Sequence, residues 1–469
     1  MEYNDAVRYL LTLGRELAAP SHARAAKFDL ANIRALAARM GEPQRKFASV
    51  HIAGTNGKGS TAAMVESILR HAGFKTGLYT SPHLERINER IRVNGAEISD
   101  AEFAAAFTRL RGLIEEMLST GELAAHPTYF ECVTAMAMDV FARKGVEIAA
   151  LEVGMGGRLD STNIVAPEAV VITQIAFDHE AFLGHSIAEI AAEKAGIIKA
   201  GVPVVSAAEH PEARAVIQRR AAEMKAPLVE IDEAYRVEEL GAQEGFYLAT
   251  VVDAGGELRE KDAQPGVAVL PNRRRIELKP GLAGRYQMRN AVTALATTRA
   301  LAGRGFQITD ENIAAGIAMV QWPGRLERIG EQPTIFLDGT HNPAGARELA
   351  AFWDEHLAGR KIHLVYGSVR DKSVDEIAGL LFPRAAHVTI TAPRQPRALS
   401  AEALAGMTRH LAPQIDVVAD ASEAVARALE TAEREDVVFV TGSLYLVGEI
   451  SQWWKSGAAH ARSAASRPA

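Results

Sequence analysis

Cysteine is almost missing from this chain: Cys132 stands alone among 469 residues. A lone thiol cannot form an internal disulfide, so a stapled secreted framework is excluded and a reducing compartment fits. Long apolar runs are missing too, since no stretch approaches the roughly 20 residues that a spanning helix needs. The opening, MEYNDAVRYLLTLGREL, lacks the layout of a secretory signal. A cytoplasmic protein with no membrane partner is the expectation. An excess of one charge is also lacking. The formal net charge of −6 is spread along the chain, so no basic face argues for nucleic acid. No internal repeat is visible.

What is present has an ordinary globular balance, with 48% hydrophobic and 23% charged residues. The length exceeds one ordinary core, so two large domains are expected. Apolar runs such as FASVHIAG, KTGLYT, EIAALEVG, EAVVITQIA and VPVVSA alternate with amphipathic stretches, the pattern of an α/β layered fold. A β-rich stretch over about 228–280 contains FYLATVVD and GVAVL, and a helix is expected at MRNAVTALATTRALAG. The βα rhythm restarts with PTIFLDGTHNP, KIHLVYGSV, HVTITAP and DVVFVTGS. The segment WPGRLERIGEQP, rich in Pro and Gly, marks the boundary. The expected division is 1–324, 325–455, and a frayed tail at 456–469.

The stretch HIAGTNGKGSTAAMVESILRHAG, from His51 to Gly73, reads as strand, glycine-rich loop and helix, with the helix after Ser60. Gly54, Gly57 and Gly59 let backbone N–H groups crowd round a polyphosphate, and the helix start adds its positive dipole end. Thr55 and Asn56 complete the loop, Lys58 supplies a point charge, and Ser60 and Thr61 supply hydroxyls. The spelling departs from G-x-x-x-x-G-K-[ST], because Gly59 separates Lys58 from Ser60. A glycine-rich turn of purely structural purpose is the competing reading, and the lysine with two hydroxyls favours a nucleotide.

Other polar residues follow apolar runs, where an α/β sheet opens its ligand crevice. Glu152 ends IAAL and His179 follows VVITQIA. With the Ser81 hydroxyl they could share a divalent ion; the residues alone weigh manganese equally with magnesium. His179 alone could equally be a satisfied core histidine. Lys194, taken alone, reads as a solvated surface lysine. Asp160 before Ser161-Thr162 reads as a helix cap, Phe130 as core, and Asn290 as an ordinary helix residue. Asp338 and His341 share a glycine-containing turn, and Asp338 alone could simply form an Asx-turn.

GTNGKGS, YTSPHLERINERIRVNG, TYFECVTAMA, LEVGMGGRLDSTN, TQIAFDHEAFLG and AAEKAGIIK stand in this order. Together they resemble the folylpolyglutamate synthase and dihydrofolate synthase family of the Mur ligase superfamily. The likeness runs from about Phe28 to about Glu449. It implies a P-loop Mur-ligase-like ATPase domain followed by a smaller Rossmann-like α/β glutamate-ligase domain. It implies that Ser81, Glu152 and His179 hold Mg²⁺, that Lys194 is carbamylated and helps hold a second Mg²⁺, and that a monovalent cation is a further ligand. Thr128, Phe130 and Asp160, with Arg158 and Ser161, are implied at the pteridine or pteroate pocket. Asn290 and Arg325 are implied at adenine and phosphate, and Asp338 at the nucleotide. His341 is implied near the incoming glutamate and the transferred phosphate, and Arg397 and Ser443 near the amino-acid site.

The implied reaction is ATP-dependent addition of L-glutamate to a folate or pteroate carboxylate by a monomer, through an acyl phosphate. Its substrates are expected to bridge the two domains, with closure excluding water. Lys58, Lys194 and His341 would carry the chemistry, while Cys132 reads as a buried apolar residue. A cell-wall Mur ligase is disfavoured by the short lead ahead of Gly54. A P-loop hydrolase or kinase would turn over ATP without glutamate. A non-catalytic nucleotide-binding module would not be expected to keep Glu152, His179, Lys194, Asp338 and His341 together.

Overall fold

The computed structural model describes residues 1–13, 29–254, 274–370, 372–412 and 414–457. Phe28, the GVAVL run at 266–270 and residues 458–469 of the expected tail lie outside these. The chain forms two units. The first comprises Met1–Leu240, Leu248–Pro280 and Met288–Val320; the second comprises Gly241–Tyr247, Gly281–Gln287 and Gln321–Ala469. The second unit thus takes in two short segments that precede residue 321.

The first unit is built on β1 (Ala48–Ala53), β2 (Thr76–Tyr79), β3 (Ile91–Val93), β4 (Ala96–Glu97), β5 (Ile148–Glu152), β6 (Ala169–Ile172), β7 (Val204–Ser206) and β8 (Leu228–Glu230). Their order is β4-β3-β2-β5-β1-β6-β7-β8. From β2 to β8 the pairings are parallel, and β3 and β4 add an antiparallel edge. The central strands β1, β5 and β6 are almost wholly buried, which is why they read as unbroken apolar runs rather than alternating ones. Asn94 and Gly95, both at positive φ, turn β3 into β4 as a two-residue hairpin requires.

Helix Asp100–Ser119 packs against helices Tyr3–Thr12 and Tyr129–Lys144. Ser99 and Glu102 form its capping box, and Phe103, Phe107, Leu110, Ile114 and Met117 form its buried stripe. Phe103, Phe107 and Phe141 are fully buried in the same core, so truncating any one to Ala costs about 3–5 kcal/mol. A separate cluster, including Val170, Ile190, Ile198 and Ile217, packs helix Ile187–Ala195. β9 (Tyr235–Gln243), β10 (Phe246–Asp253) and β11 (Arg275–Leu278) make a three-stranded sheet, ordered β11-β10-β9.

The second unit holds β12 (Glu327–Glu331), β13 (Thr334–Leu337), β14 (Ile362–Tyr366), β15 (His387–Ile390), β16 (Ile415–Val417) and β17 (Val437–Thr441). The order is β12-β13-β17-β14-β15-β16, parallel except for the edge strand β12. Its core centres on Trp353, Phe382, Phe439 and Tyr366, all with under 2% exposure.

Candidate active site

Ile52 of β1 pairs with Glu152 of β5, and Ala53 pairs with Ile172 of β6. Because these strands are parallel, the segments leaving them emerge at one edge of the sheet. The first is the loop from Gly54 to Gly57, and the helix starts at Lys58, earlier than Ser60, running to His71. Gly57 stands at its N-cap with φ +84° and no capping side chain, which leaves the first helical amides directed at any anion bound there.

This loop is strapped to the segment after β6. The Thr55 amide donates to the Gln174 carbonyl at 2.7 Å. The Thr55 hydroxyl donates to the Ala176 carbonyl at 3.0 Å, and Asn56 Nδ2 donates to Gln174 Oε1 at 3.1 Å. Thr173 Oγ1 donates to the Asn56 carbonyl at 2.7 Å. Glycine is required at two points. A Cβ on Gly54 would meet Thr173 Oγ1 at 1.8 Å, and one on Gly57 would meet Asn290 Oδ1 at 2.4 Å. Asn290 therefore lies directly against the loop, with the Thr61 hydroxyl 3.5 Å from its Oδ1. Lys58 Nζ donates to the Thr55 carbonyl at 2.9 Å. Gly59 and the buried Ser60 and Thr61 complete the first helical turn.

Glu152 ends β5, buried, and accepts a 3.1 Å hydrogen bond from the Ser81 amide. His179 follows the strap, and its amide donates to Asp178 Oδ1 at 2.9 Å. Its φ of +53° places it in the left-handed region, an uncommon state for a residue with a Cβ. Lys194, on helix Ile187–Ala195, is 4% exposed, unlike the surface lysine its local sequence suggests. Its Nζ donates to the Gly54 carbonyl at 2.8 Å. Burial, aided by the nearby Lys58 charge, lowers its pKa to about 7.

Asp160 is buried and caps the short helix Ser161–Ile164. Its Oδ1 accepts from the Thr162 amide at 2.9 Å and the Thr162 hydroxyl at 2.5 Å. Its Oδ2 accepts from the amides of Gly154 and Met155, each at 3.0 Å. A carboxylate has about four lone-pair sites, so Asp160 faces inward as a clasp. Burial raises its pKa against the pull of these donors. Thr128 caps helix Tyr129–Lys144 in a capping box with Glu131. Phe130 is half-buried, Arg158 pairs with Glu193 at 2.9 Å, and Ser161 is buried.

In the second unit, β13 and β17 end side by side, with Leu337 opposite Val440. Asp338 Oδ1 accepts from the Thr340 amide at 3.0 Å, forming an Asx-turn, and Oδ2 accepts from the Leu326 amide at 2.9 Å. Arg325 packs on Gly339, where a Cβ would lie 2.5 Å from its Nη1. His341 Nδ1 lies 2.8 Å from the Gly339 carbonyl. Ser443 caps helix Leu444–Lys455, and Arg397 Nη2 lies 3.5 Å from the Tyr445 hydroxyl.

Two Mur ligase models match this chain: the Mur ligase middle domain over residues 52–298 and the Mur ligase glutamate ligase domain over 324–444. A Bacillus subtilis protein, dihydrofolate synthase/folylpolyglutamate synthase, is 35% identical over 432 residues, covering 90% of this chain and 94% of that protein. The chain belongs to the folylpolyglutamate synthase and dihydrofolate synthase family of Mur ligases. A Haloferax volcanii relative, a probable bifunctional folylpolyglutamate synthase/dihydropteroate synthase, is 36% identical over 97% of this chain. This chain spans about half of that relative's length, 51%. The Mycobacterium tuberculosis folylpolyglutamate synthase complexed with ADP is 31% identical in sequence. It superposes with a TM-score of 0.84 over 97% of this chain and 99% of that one.

Within this Mur-ligase frame, the donor set at the β5 end suits a hard cation: a buried carboxylate with a neighbouring serine. Among the described residues, no three His, Cys, Asp or Glu side chains gather closely enough to hold an ion. A metal on Ser81, Glu152 and His179 would therefore be completed by oxygens from outside the chain, as phosphate and water provide. Cys132 is buried and its thiol is pushed up to about 12 by burial, so it is no nucleophile. Among the described residues, no helix is long and apolar enough to cross a membrane. Sequence reasoning missed the strap at Thr173 and Gln174, and the only local signal was a polar pair closing an apolar run.

Proposed function

We propose that this family member is an ATP-dependent ligase that joins L-glutamate to the carboxylate of a folate-type substrate. The observation that carries the reading is the shared sheet edge in the first unit. A glycine loop built for phosphates, the buried Glu152–Ser81 pair and a buried lysine of lowered pKa are fastened there to one another or to neighbouring strand ends.

The loop amides and Lys58 hold the phosphates of ATP, and Asn290, packed on Gly57, borders the nucleotide. The γ-phosphate passes to a substrate carboxyl oxygen, giving an acyl phosphate and ADP. The α-amine of glutamate attacks the acyl carbon, and phosphate leaves as the amide forms. Mg²⁺ at Ser81, Glu152 and His179, with a second ion at Lys194, would neutralise phosphate charge during the transfer. Lys194 has the chemistry for carbamylation, because an amine with a pKa near 7 is substantially uncharged at neutral pH and can add CO₂. In the second unit, Asp338 and Arg325 are assigned to the nucleotide. His341, with Arg397 and Ser443, is assigned to the glutamate and the transferred phosphate.

Phe130 is assigned the aromatic face for a pterin, and Thr128, Arg158 and Ser161 are assigned to the same substrate; Asp160 acts from within as a clasp. The lone buried thiol fits a reducing cytoplasm, where the enzyme is proposed to act as a single chain. The test is product mass after incubation with ATP, glutamate and either tetrahydrofolate or dihydropteroate. Gain of one glutamyl residue on tetrahydrofolate is expected. Gain on dihydropteroate adds the first-glutamate reaction, and no gain on either substrate contradicts the reading.

A further inference from the structure

Behind the turn that follows Glu152 lies a buried polar chain for which the reaction has no direct use. His51, in the middle of β1, is wholly buried, and its Nε2 lies 2.8 Å from the Thr162 hydroxyl. That hydroxyl lies 2.5 Å from Asp160 Oδ1, while Asp160 Oδ2 takes the amides of Gly154 and Met155. The Phe130 ring rests on the same turn, where a Cβ on Gly154 would come within 2.4 Å of it.

We propose that His51 and Thr162 are positioning residues for the folate-side pocket, acting through Asp160 to fix the Gly154–Met155 turn beneath Phe130. The inference rests on the ligase reading above and goes beyond it, since neither residue would touch a substrate.

The direction of the chain follows from counting hydrogens. Thr162 has one hydroxyl proton, and the Asp160 carboxylate takes it. Thr162 must then accept from His51, so the imidazole carries its proton on Nε2. Nδ1, buried with no hydrogen-bond partner, is left as an acceptor. The other tautomer would bury an unpaired N–H, the rarer kind of orphan. Burial and the neighbouring Lys199 hold the His51 pKa down to about 3, so the ring stays neutral and its donor does not reverse at working pH. The far side of the loop is braced as well. Lys199 Nζ donates to Asn163 Oδ1 at 2.7 Å, and Asn163 Nδ2 donates to the carbonyl of Arg158 at 2.9 Å. The turn beneath Phe130 thus has one preferred position, set from β1.

Three enzymes separate this from a merely structural role: Thr162→Val, Thr162→Ser and His51→Gln, compared with wild type in ADP release. Wild-type activity with folate and glutamate tests the ligase reading by itself. Given that activity, Thr162→Val is expected to raise KM for the folate substrate about ten-fold, as loss of a buried hydrogen-bond pair allows. Its KM for ATP should stay within about two-fold. Thr162→Ser, which keeps the hydroxyl, and His51→Gln, which keeps a donor near the Nε2 position, should recover most of the loss. Both KM values raised alike, or neither raised, would overturn the proposal. Nitrogen NMR of the wild type, with the His51 signal assigned by its absence in His51→Gln, gives a check that needs no substrate. Protonated Nε2 is expected, and protonated Nδ1 would overturn the chain.

Discussion

Lys194 Nζ donates a 2.8 Å hydrogen bond to the carbonyl oxygen of Gly54. A buried amine on one helix is thereby fastened to the first glycine of the glycine-rich loop, which is itself strapped to the segment leading to His179. Glycine-rich loop, lysine and histidine segment belong to one hydrogen-bonded assembly.

The lowered pKa of Lys194 invites a chemical test. With ¹³C-bicarbonate, the wild-type protein should show a carbamate resonance that Lys194→Met lacks. Absence of the signal in wild type would remove carbamylation from the account.

Gly57 admits no side chain, because φ is +84° and Asn290 fills the space. Gly57→Ala should weaken ATP binding about ten-fold or more through backbone strain and the displaced amide. Calorimetric titration with ATP measures this, and unchanged affinity would mean that the loop does not hold the nucleotide.

Glu152→Gln and His179→Ala should each raise the Mg²⁺ concentration for half-maximal activity by about ten-fold or more, as loss of a ligand or its orienting partner does. Adding excess Mg²⁺ should restore part of the activity. An unchanged metal response would show that these residues do not hold the ion.

Asp420 caps helix Ala421–Thr431 and accepts from the Ser422 hydroxyl and from the amides of Ser422 and Glu423, with Arg394 beside it. The Ser422 hydroxyl is the main cause that brings its pKa down to about 2. A depressed carboxylate stabilises the fold fully above its unfolded value near 4, and that gain is lost as pH falls through the folded value. Asp420→Ala should therefore cost about 1 kcal/mol at pH 7, with the difference shrinking between about pH 4 and pH 2. Thermal midpoints of both proteins across this range check it; a constant gap would contradict the assignment.

Much of the frame was legible because buried parallel strands leave continuous apolar runs. VHIA, IAAL and VVI became β1, β5 and β6, and the segments sought as candidate sites leave the ends of these strands. The short strands β8, β12 and β16 are only half-buried and too weakly patterned to stand out. Lys194 was unreadable locally, since EIAAEK is an unremarkable helix and its burial comes from packing toward Gly54, far away in sequence. Asp160 supported two readings until Gly154 and Met155 showed which donors occupy its oxygens. Thr173, marked only as half of a polar pair, and His51 were hard to read, because a hydroxyl or imidazole inside an apolar run gains meaning only from the strand beside it.

The central claim is that ATP is spent on making an amide. The most direct measurement is ADP release by the wild-type enzyme with ATP, Mg²⁺ and tetrahydrofolate, in the presence and absence of L-glutamate. Release that depends on glutamate and matches glutamyl product one for one is predicted, and steady ADP release without glutamate would contradict the account.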